Sequence, residues 1–479
     1  MRNYTILTYA LLLICFFALK YYSVDNKDAV LRTNDSRVFL DDSRYPLVSS
    51  RIFAGGRSPT PLLLFKAANA DPVLVSGFYK IFSVVAWFSL GVLLAREVAW
   101  FPLKLATVIA VGLYSLSIAI NQWDRILMAE ALSFSLFALT IGCTIALSAF
   151  MVKDNRRVTG RFLLIAAIWS LVCLAFTLAR DSNMYVIATL AVVFLLWLGV
   201  DLLLKLRQSN QVITRDKIHV PLAICVVVLI GCFVINDVSL RNSVRWRTPL
   251  LNVILERILP NPDVYAFWKA EYGFPQNADF EQYVGLRAWS ALKDGEDPLR
   301  ARLNTDPELH DIESWLGDKG ISSYSRFLVR DYWRESVATS IEVLPQYVNN
   351  YEKRLTEDLE IASWAKVLDK YVYPEVPRPF STLLIVTGIV CLAMILFPSS
   401  RLLGVAAVFL MLNAWAQMFV TYHGDADGIL RHAGLVGIIY RLGILTACLA
   451  VLNGVVQAIR GRSRQTEASV LVSPNNTTA

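Results

Sequence analysis

The sequence predicts an all-α membrane protein of about ten transmembrane helices, with interfacial helices in the first loop and a helical domain outside the membrane. Its 479 residues are 55% hydrophobic, with a mean hydropathy of +0.48, which is the composition of a multi-span membrane protein. Ten apolar runs are each long enough to cross about 30 Å of hydrocarbon. They lie near Tyr4–Leu19, Val73–Leu94, Phe101–Ile120, Ile126–Val152, Phe162–Leu178, Met184–Leu204, Val220–Ile235, Ser381–Phe397, Leu402–Val420 and Leu435–Val456. The third observation is that lysines and arginines collect in alternate connections.

The first run follows Arg2, and Phe17-Ala18-Leu19-Lys20 leads into Tyr21-Tyr22 with no small-residue cleavage site, so it reads as a retained anchor. Lys and Arg are held on the cytoplasmic side of short loops. An inside N-terminus places Arg2, Arg96, Lys104, Lys153, Arg156, Arg157, Arg161, Lys205, Arg207, Arg215, Lys217, Arg401, Arg460, Arg462 and Arg464 there. Both termini are then cytoplasmic, in a multi-pass protein of the inner (cytoplasmic) membrane.

The expected organisation is a transmembrane module over residues 1–236, with spans one to seven and a first outside loop at 21–72. A helical extracytoplasmic domain over 237–380, three last spans over 381–457 and a disordered cytoplasmic tail over 458–479 follow. Apolar residues at three- and four-residue spacing, as in Val253-Ile254-Ile258-Leu259, make the outside block helical, and prolines 260, 262, 275, 298, 307, 345 and 374 cut it into short helices. Asp237–Phe380 holds 18 Lys and Arg against 23 Asp and Glu, a net −5, whereas the whole chain is +7. The basic excess is a topology signal and not a nucleic-acid footprint. All seven cysteines fall within expected spans, so neither a disulfide framework nor a Cys-ligated zinc site is indicated.

The first outside loop carries Asp41-Asp42-Ser43-Arg44-Tyr45 and then Gly55-Gly56-Arg57-Ser58-Pro59. Leu47, Ile52 and Phe53 before Arg57, and Leu62 to Phe65 before Lys66, suit short interfacial helices. An amphipathic lid would explain those apolar residues but leaves the adjacent aspartates and Arg44 without a task. Other charges fall at the same outer rim. Asp124 and Glu130 flank the start of the fourth span, Arg180 and Asp181 end the fifth, and Arg241, Arg245, Arg247 and Arg257 follow the seventh. His423, Asp425, Asp427, Arg431 and His432 sit between the last two spans, and Arg441 lies inside the tenth. Burying a charge such as Glu130 or Arg441 costs a few kcal/mol unless it is paired or lines a cavity.

Such a set suits transfer of a sugar carried on a lipid monophosphate. Arginine binds phosphate with its bidentate fork and stabilises the leaving group as charge builds. A carboxylate removes the proton of the acceptor hydroxyl. Asp41 or Asp42 supplies that base in an inverting transfer, and Arg57, Arg180, Arg245, Arg431 and His432 are candidates for the phosphate. Arg44, Tyr45, Asp124, Glu130, Asp181, Arg257 and Asp425 complete the candidate binding set. This chemistry needs no cofactor, although adjacent acids also suit a divalent cation.

These residues resemble a family. Asp41-Asp42-Ser43-Arg44-Tyr45 is similar to the acidic-pair, any, Arg, Tyr signature in the first outside loop of the GT-C membrane glycosyltransferases. Those include the enzymes that attach aminoarabinose to lipid A and the protein mannosyltransferases. Gly56-Arg57-Ser58-Pro59, Glu130-Ala131-Leu132-Ser133, Arg180-Asp181-Ser182-Asn183 and Asp425 with Arg431-His432 look like stretches of poorly characterised bacterial members. The resemblance covers spans one to seven and the final loop but not 237–378. It implies a GT-C-like helix arrangement, an undecaprenyl- or decaprenyl-phosphate sugar donor, and a glycan, lipid or protein acceptor at the outer face. The base role falls on the first acid of the pair, Asp41, although Asp42-Ser43-Arg44-Tyr45 reads equally well.

Two other classes fit ten spans with intramembrane charge. A transporter or flippase for a lipid-linked glycan would place functional groups near mid-bilayer on broken helices, whereas these gather at one face. An O-antigen polymerase or ligase would carry basic residues and His in its large outside loop, and leaves the first-loop acids unused.

Overall fold

The computed structural model describes residues 2–24, 30–153, 158–207, 219–243, 245–286, 306–351, 359–426 and 429–471. Of the residues singled out above, Arg156, Arg157, Arg215, Lys217, Pro298, Asp427 and the tail from 472 lie outside these. The protein is an all-α, multi-pass membrane protein. In chain order, α1 is Arg2–Tyr21, α2 Asn34–Asp42, α3 Ser50–Ala54, α4 Pro59–Ala67, α5 Pro72–Arg96, α6 Phe101–Ser115, α7 Ile118–Asn121, α8 Ala129–Lys153, α9 Gly160–Thr177, α10 Asn183–Arg207 and α11 His219–Arg241. Beyond the spans of this first half come α12 Arg247–Val253, α13 Pro262–Tyr272, α14 Ala278–Glu281, α15 His310–Trp315, α16 Ile321–Arg326, α17 Trp333–Asn349 and α18 Ser363–Val372. The chain closes with α19 Pro379–Leu396, α20 Arg401–Gly424, α21 Ile429–His432 and α22 Gly434–Leu471.

All ten apolar runs are helical, but they differ in how they cross. Among the described residues, eight helices are long and apolar enough to span, including α5, α8 and the long stretch Ile429–Arg460. The run from Phe101 makes a ninth only as two pieces, α6 and Ile118–Arg125, bent by 60°. The bend has a local cause, because Asp369 of α18 accepts a hydrogen bond from the Ile118 backbone N–H at 2.7 Å and so caps a new helix start. In α1 the apolar stretch is Thr5–Tyr21, shorter than the others. Its last turn carries Lys20, whose ammonium is buried against Asp124 at 2.8 Å and donates to Ser83 Oγ at 2.6 Å.

Local sequence sets several boundaries. Asp71 caps α5, accepting from Val73 N at 2.8 Å, with Pro72 at the first helical position where its missing N–H costs nothing. Gly273, at φ +61°, ends α13. Pro345 departs from expectation, because it sits inside α17 without ending it. Leu344, Tyr347 and Val348 of α17 pack into the bundle core, and that burial outweighs the hydrogen bond proline forfeits. Helix α22 continues to Leu471, beyond the point where the tail was expected to lose structure.

Two cores form. The larger joins the spans and takes in Leu344, Tyr347, Val348, Tyr373 and Val376 from the segment outside them. The second is aromatic and built by α12 to α16, with Trp268, Trp315, Phe274, Phe280 and Phe327 at its centre. Arg441 of α22 stitches the extramembranous chain to the spans. Its guanidinium donates to the carbonyls of Val348 at 2.7 Å and Pro374 at 2.7 Å, and lies 3.5 Å from the centre of the Tyr373 ring. Carbonyl dipoles and an aromatic face thereby replace a counter-ion.

Candidate active site at one end of the bundle

The first connection folds into α2, α3 and α4 and returns to the spans. Thr33 and Ser36 form a reciprocal cap at the start of α2, so the helix begins at Asn34 and carries Asp35 in its first turn. At 3.6 residues per turn, Asp35, Phe39 and Asp42 share one face, while Asp41 lies on another. Phe39 is buried and stacks on Phe65 of α4, which turns that face inward. Asp41 is exposed, and so is Arg44.

Arg57 reaches the inward face from the turn between α3 and α4. Gly55 makes that turn, and a Cβ there would lie 2.1 Å from the Arg51 carbonyl oxygen. The loop is anchored by Thr60 Oγ1, which donates to the Ala175 carbonyl at 2.9 Å, and by Arg245 Nη1, which donates to the Arg57 carbonyl at 2.8 Å. Arg57 Nη2 then donates to Asp35 Oδ1 at 2.7 Å. From the far end of the chain, Arg431 Nη1 donates to Asp35 Oδ2 at 2.7 Å.

The network continues inward. Glu130, buried in the first turn of α8, lies 3.6 Å from both Arg431 Nε and Arg180 Nη2. Arg180 also donates to His432 Nδ1. The other ring nitrogen, Nε2, lies 3.2 Å from Arg431 Nη2 and 3.5 Å from Asp425 Oδ2. Asp425 accepts from Asn252 at 3.0 Å, and Asp181 meets Arg245 at 3.4 Å. Asn183 locks the α9–α10 connection, donating to the Phe176 carbonyl at 2.7 Å and to Ser133 Oγ at 2.9 Å.

Of the residues predicted from sequence, Arg57, Glu130, Arg180, Asp181, Arg245, Asp425, Arg431 and His432 therefore meet in one network, although they come from five separate stretches. Asp42 stands at its edge, half-buried, its Oδ2 3.9 Å from where a Gly56 Cβ would be. Burial pushes the Asp42 carboxyl up from its ordinary value, Arg57 and Arg51 oppose this, and the charge of Asp41 adds to it. Tyr45 carries the Arg51 guanidinium over its ring at 4.6 Å, and Lys66 donates to the Tyr45 carbonyl at 2.6 Å.

Two predicted residues serve elsewhere. Asp124 is buried and paired with Lys20, tying α1 to the bent third span. Arg257 braces the end of α20, donating to the carbonyls of Tyr422 and of Asp425, the latter at 3.1 Å, with its guanidinium 3.8 Å from the Tyr422 ring centre.

The residue that sequence reasoning missed is Asp35, at the centre. Burial raises its carboxyl, but Arg57 and Arg431 outweigh burial through charge and hydrogen bonds, and its pKa ends below the ordinary value. Asp35-Ser36-Arg37 repeats Asp42-Ser43-Arg44 seven residues earlier, a helical repeat that signals a shared face. Burial also raises the Asp181 carboxyl, against the pull of Arg245 and Arg180.

The network sets four guanidiniums against the carboxylates of Asp35, Glu130 and Asp181. Among the described residues, Arg57 Nε, Arg180 Nη1, Arg245 Nε and Arg431 Nε are buried without a hydrogen-bond partner, although Arg431 Nε faces Glu130 Oε1 at 3.6 Å. Each guanidinium thus retains donor capacity that a phosphate oxygen would satisfy. Among the described residues, no group of three or more His, Cys, Asp or Glu is arranged to hold a metal ion.

No family model matches the chain, and no curated protein matches it. Among solved structures it is similar to the archaeal oligosaccharyltransferase AglB from Archaeoglobus fulgidus, in complex with an inhibitory peptide and a dolichol-phosphate, at 14% identity and a TM-score of 0.43. The match covers 100% of this chain and 53% of that one, so the chain spans about half the length of the structure it matches.

Proposed function

We propose that the protein is a glycosyltransferase that moves a sugar from a polyprenyl-phosphate donor to an acceptor at the outer face of the cytoplasmic membrane, with both termini on the cytoplasmic side. One observation carries the reading. Four arginines from distant parts of the chain, Arg57, Arg180, Arg245 and Arg431, gather with unmet donors beside the acidic end of α2. A phosphate on a lipid reaches a site at the end of a span bundle without leaving the bilayer surface.

In this scheme the guanidiniums hold the donor phosphate, and an exposed or half-exposed acid, Asp41 or Asp42, faces the acceptor. The acceptor hydroxyl oxygen attacks the anomeric carbon while its proton passes to the carboxylate. The bond from the anomeric carbon to the phosphate oxygen breaks, and the electron pair leaves with the polyprenyl phosphate. Arg57, Arg180 and Arg431 stabilise that growing charge. A single displacement inverts the anomeric configuration and leaves no sugar on the enzyme. The arginines supply the positive charge, so the scheme requires no cofactor.

The test is a panel of radiolabelled polyprenyl-phosphate sugars presented to the purified protein. Transfer to acceptor from one of them, lost in Arg57→Ala with Arg431→Ala, supports the reading. Lack of transfer from every donor, together with equal retention of polyprenyl phosphate and polyprenol, refutes it.

A further inference from the structure

Arg57 and Arg431 are both engaged by one carboxylate. Asp35 gives Oδ1 to Arg57 and Oδ2 to Arg431, each at 2.7 Å. Two oxygens on one atom, each taken by a different guanidinium, is the arrangement a phosphate would adopt between the same pair. We propose that Asp35 is a built-in surrogate for the donor phosphate, holding the anion position between Arg57 and Arg431 while the site is empty and yielding it when the lipid phosphate arrives. The proposal rests on the reading of this network as a lipid-phosphate site.

Charge balance requires some such exchange. The network sets Arg57, Arg180, Arg245 and Arg431 against Asp35, Glu130, Asp181 and Asp425, with a neutral His432. Four cations already face four carboxylates, and a phosphate would add uncompensated negative charge to a half-buried cluster. One carboxylate has to withdraw.

Geometry selects which one. The Glu130 side chain is 4% exposed and set in α8 between Arg180 and Arg431. Asp425 is tied to Asn252 and faces His432, and Asp181 neutralises Arg245, so moving either frees neither Arg57 nor Arg431. The Asp35 side chain is 25% exposed and sits on a nine-residue helix that packs outside the spans. Rotation of this short side chain releases both guanidiniums at once. When transfer is complete and polyprenyl phosphate remains, the returning carboxylate competes for the same two arginines and speeds release of the product.

Asp35 is on this account a positioning residue, and a brace would behave differently when neutralised. Removing a competing anion strengthens phosphate binding, whereas loosening a brace weakens it. The experiment titrates farnesyl phosphate, with farnesol as the neutral control, into the full chain in nanodiscs. Asp35→Asn should bind farnesyl phosphate roughly tenfold more tightly than wild type, the worth of two partly exposed ion pairs. Asp35→Glu should stay near wild type, and farnesol binding should not change.

Weaker or unchanged phosphate binding in Asp35→Asn overturns the surrogate role. Should Asp35→Asn be unstable alone, farnesyl phosphate but not farnesol should return its melting temperature to the wild-type value, because phosphate then fills the vacated position. Failure of that rescue also overturns the role. If wild type itself shows no preference for the phosphate over the alcohol, the phosphate reading of the whole site fails instead.

Discussion

Asp35 and Arg431 are 396 residues apart in the chain, and their side chains meet at 2.7 Å. That bond closes the first connection onto the last one, so the site is assembled only when both ends of the chain have docked. Long closure of this kind makes the network sensitive to single substitutions.

Arg431→Ala and Arg57→Ala should each lower transfer from a polyprenyl-phosphate donor by about 10–100-fold, as expected for a charge-assisted bond of roughly 1.5–3 kcal/mol. The loss should fall mainly on the KM for donor if the bond forms already in the bound complex, and on kcat if it strengthens as the phosphate leaves. An unchanged rate curve in both variants would remove these arginines from the site.

Asp41→Asn and Asp42→Asn separate the candidates for the base. The variant lacking the base should lose about 10²–10⁴-fold in kcat, with membrane insertion unchanged. Full activity in the double variant would end the base hypothesis.

The pH profile gives an independent test of Asp42. Its carboxyl is raised from 3.8, chiefly by burial. As the base it must be ionised, so activity should fall as pH drops through a value above 3.8. Arg51→Ala removes one of the cations that oppose the rise and should move that acidic limb further up. A limb unmoved by Arg51→Ala argues for Asp41.

Glu130→Ala should leave Arg180 and Arg431 without their buried counter-charge and destabilise the protein by about 3–5 kcal/mol, read as a lower melting temperature in detergent. Glu130→Gln should recover part of this, since its carbonyl oxygen still accepts.

Lys20 and Asp124 form a double-mutant cycle away from the arginine network. Lys20→Met should strand a buried carboxylate and destabilise by about 3–5 kcal/mol, while Lys20→Met with Asp124→Leu should return most of that. Donor KM in the folded double variant should match wild type. A raised KM would tie Asp124 to substrate after all.

How far the sequence foretold this depends on the range of each interaction. Spans are written in local hydropathy, so the ten runs were legible as helices. The gathering of Arg57, Glu130, Arg180, Asp425 and Arg431 was legible too, because basic loop residues fix the side on which each connection emerges. What escaped was the pairing. Nothing within a few residues of Asp124 reveals that its partner is Lys20, and the adjacent pair Asp41-Asp42 drew attention from Asp35. The 60° break in the third span was equally hidden, since its cap, Asp369, comes from the opposite half of the chain. Helical periodicity in 34–42 would have favoured Asp35 and Asp42 over Asp41 as inward-facing acids.

Arg441 has a different bearing on how this protein tolerates change. Its grip is on main-chain oxygens of residues 348 and 374, which every amino acid supplies. Position 374 is exposed and free to drift in identity so long as the polypeptide keeps its path, whereas Val348 is also held by its own burial in the core, so random mutagenesis should find only the first permissive. Gly437, one turn before the arginine, has no such latitude, because a methyl group there would come within 2.1 Å of the Tyr373 hydroxyl.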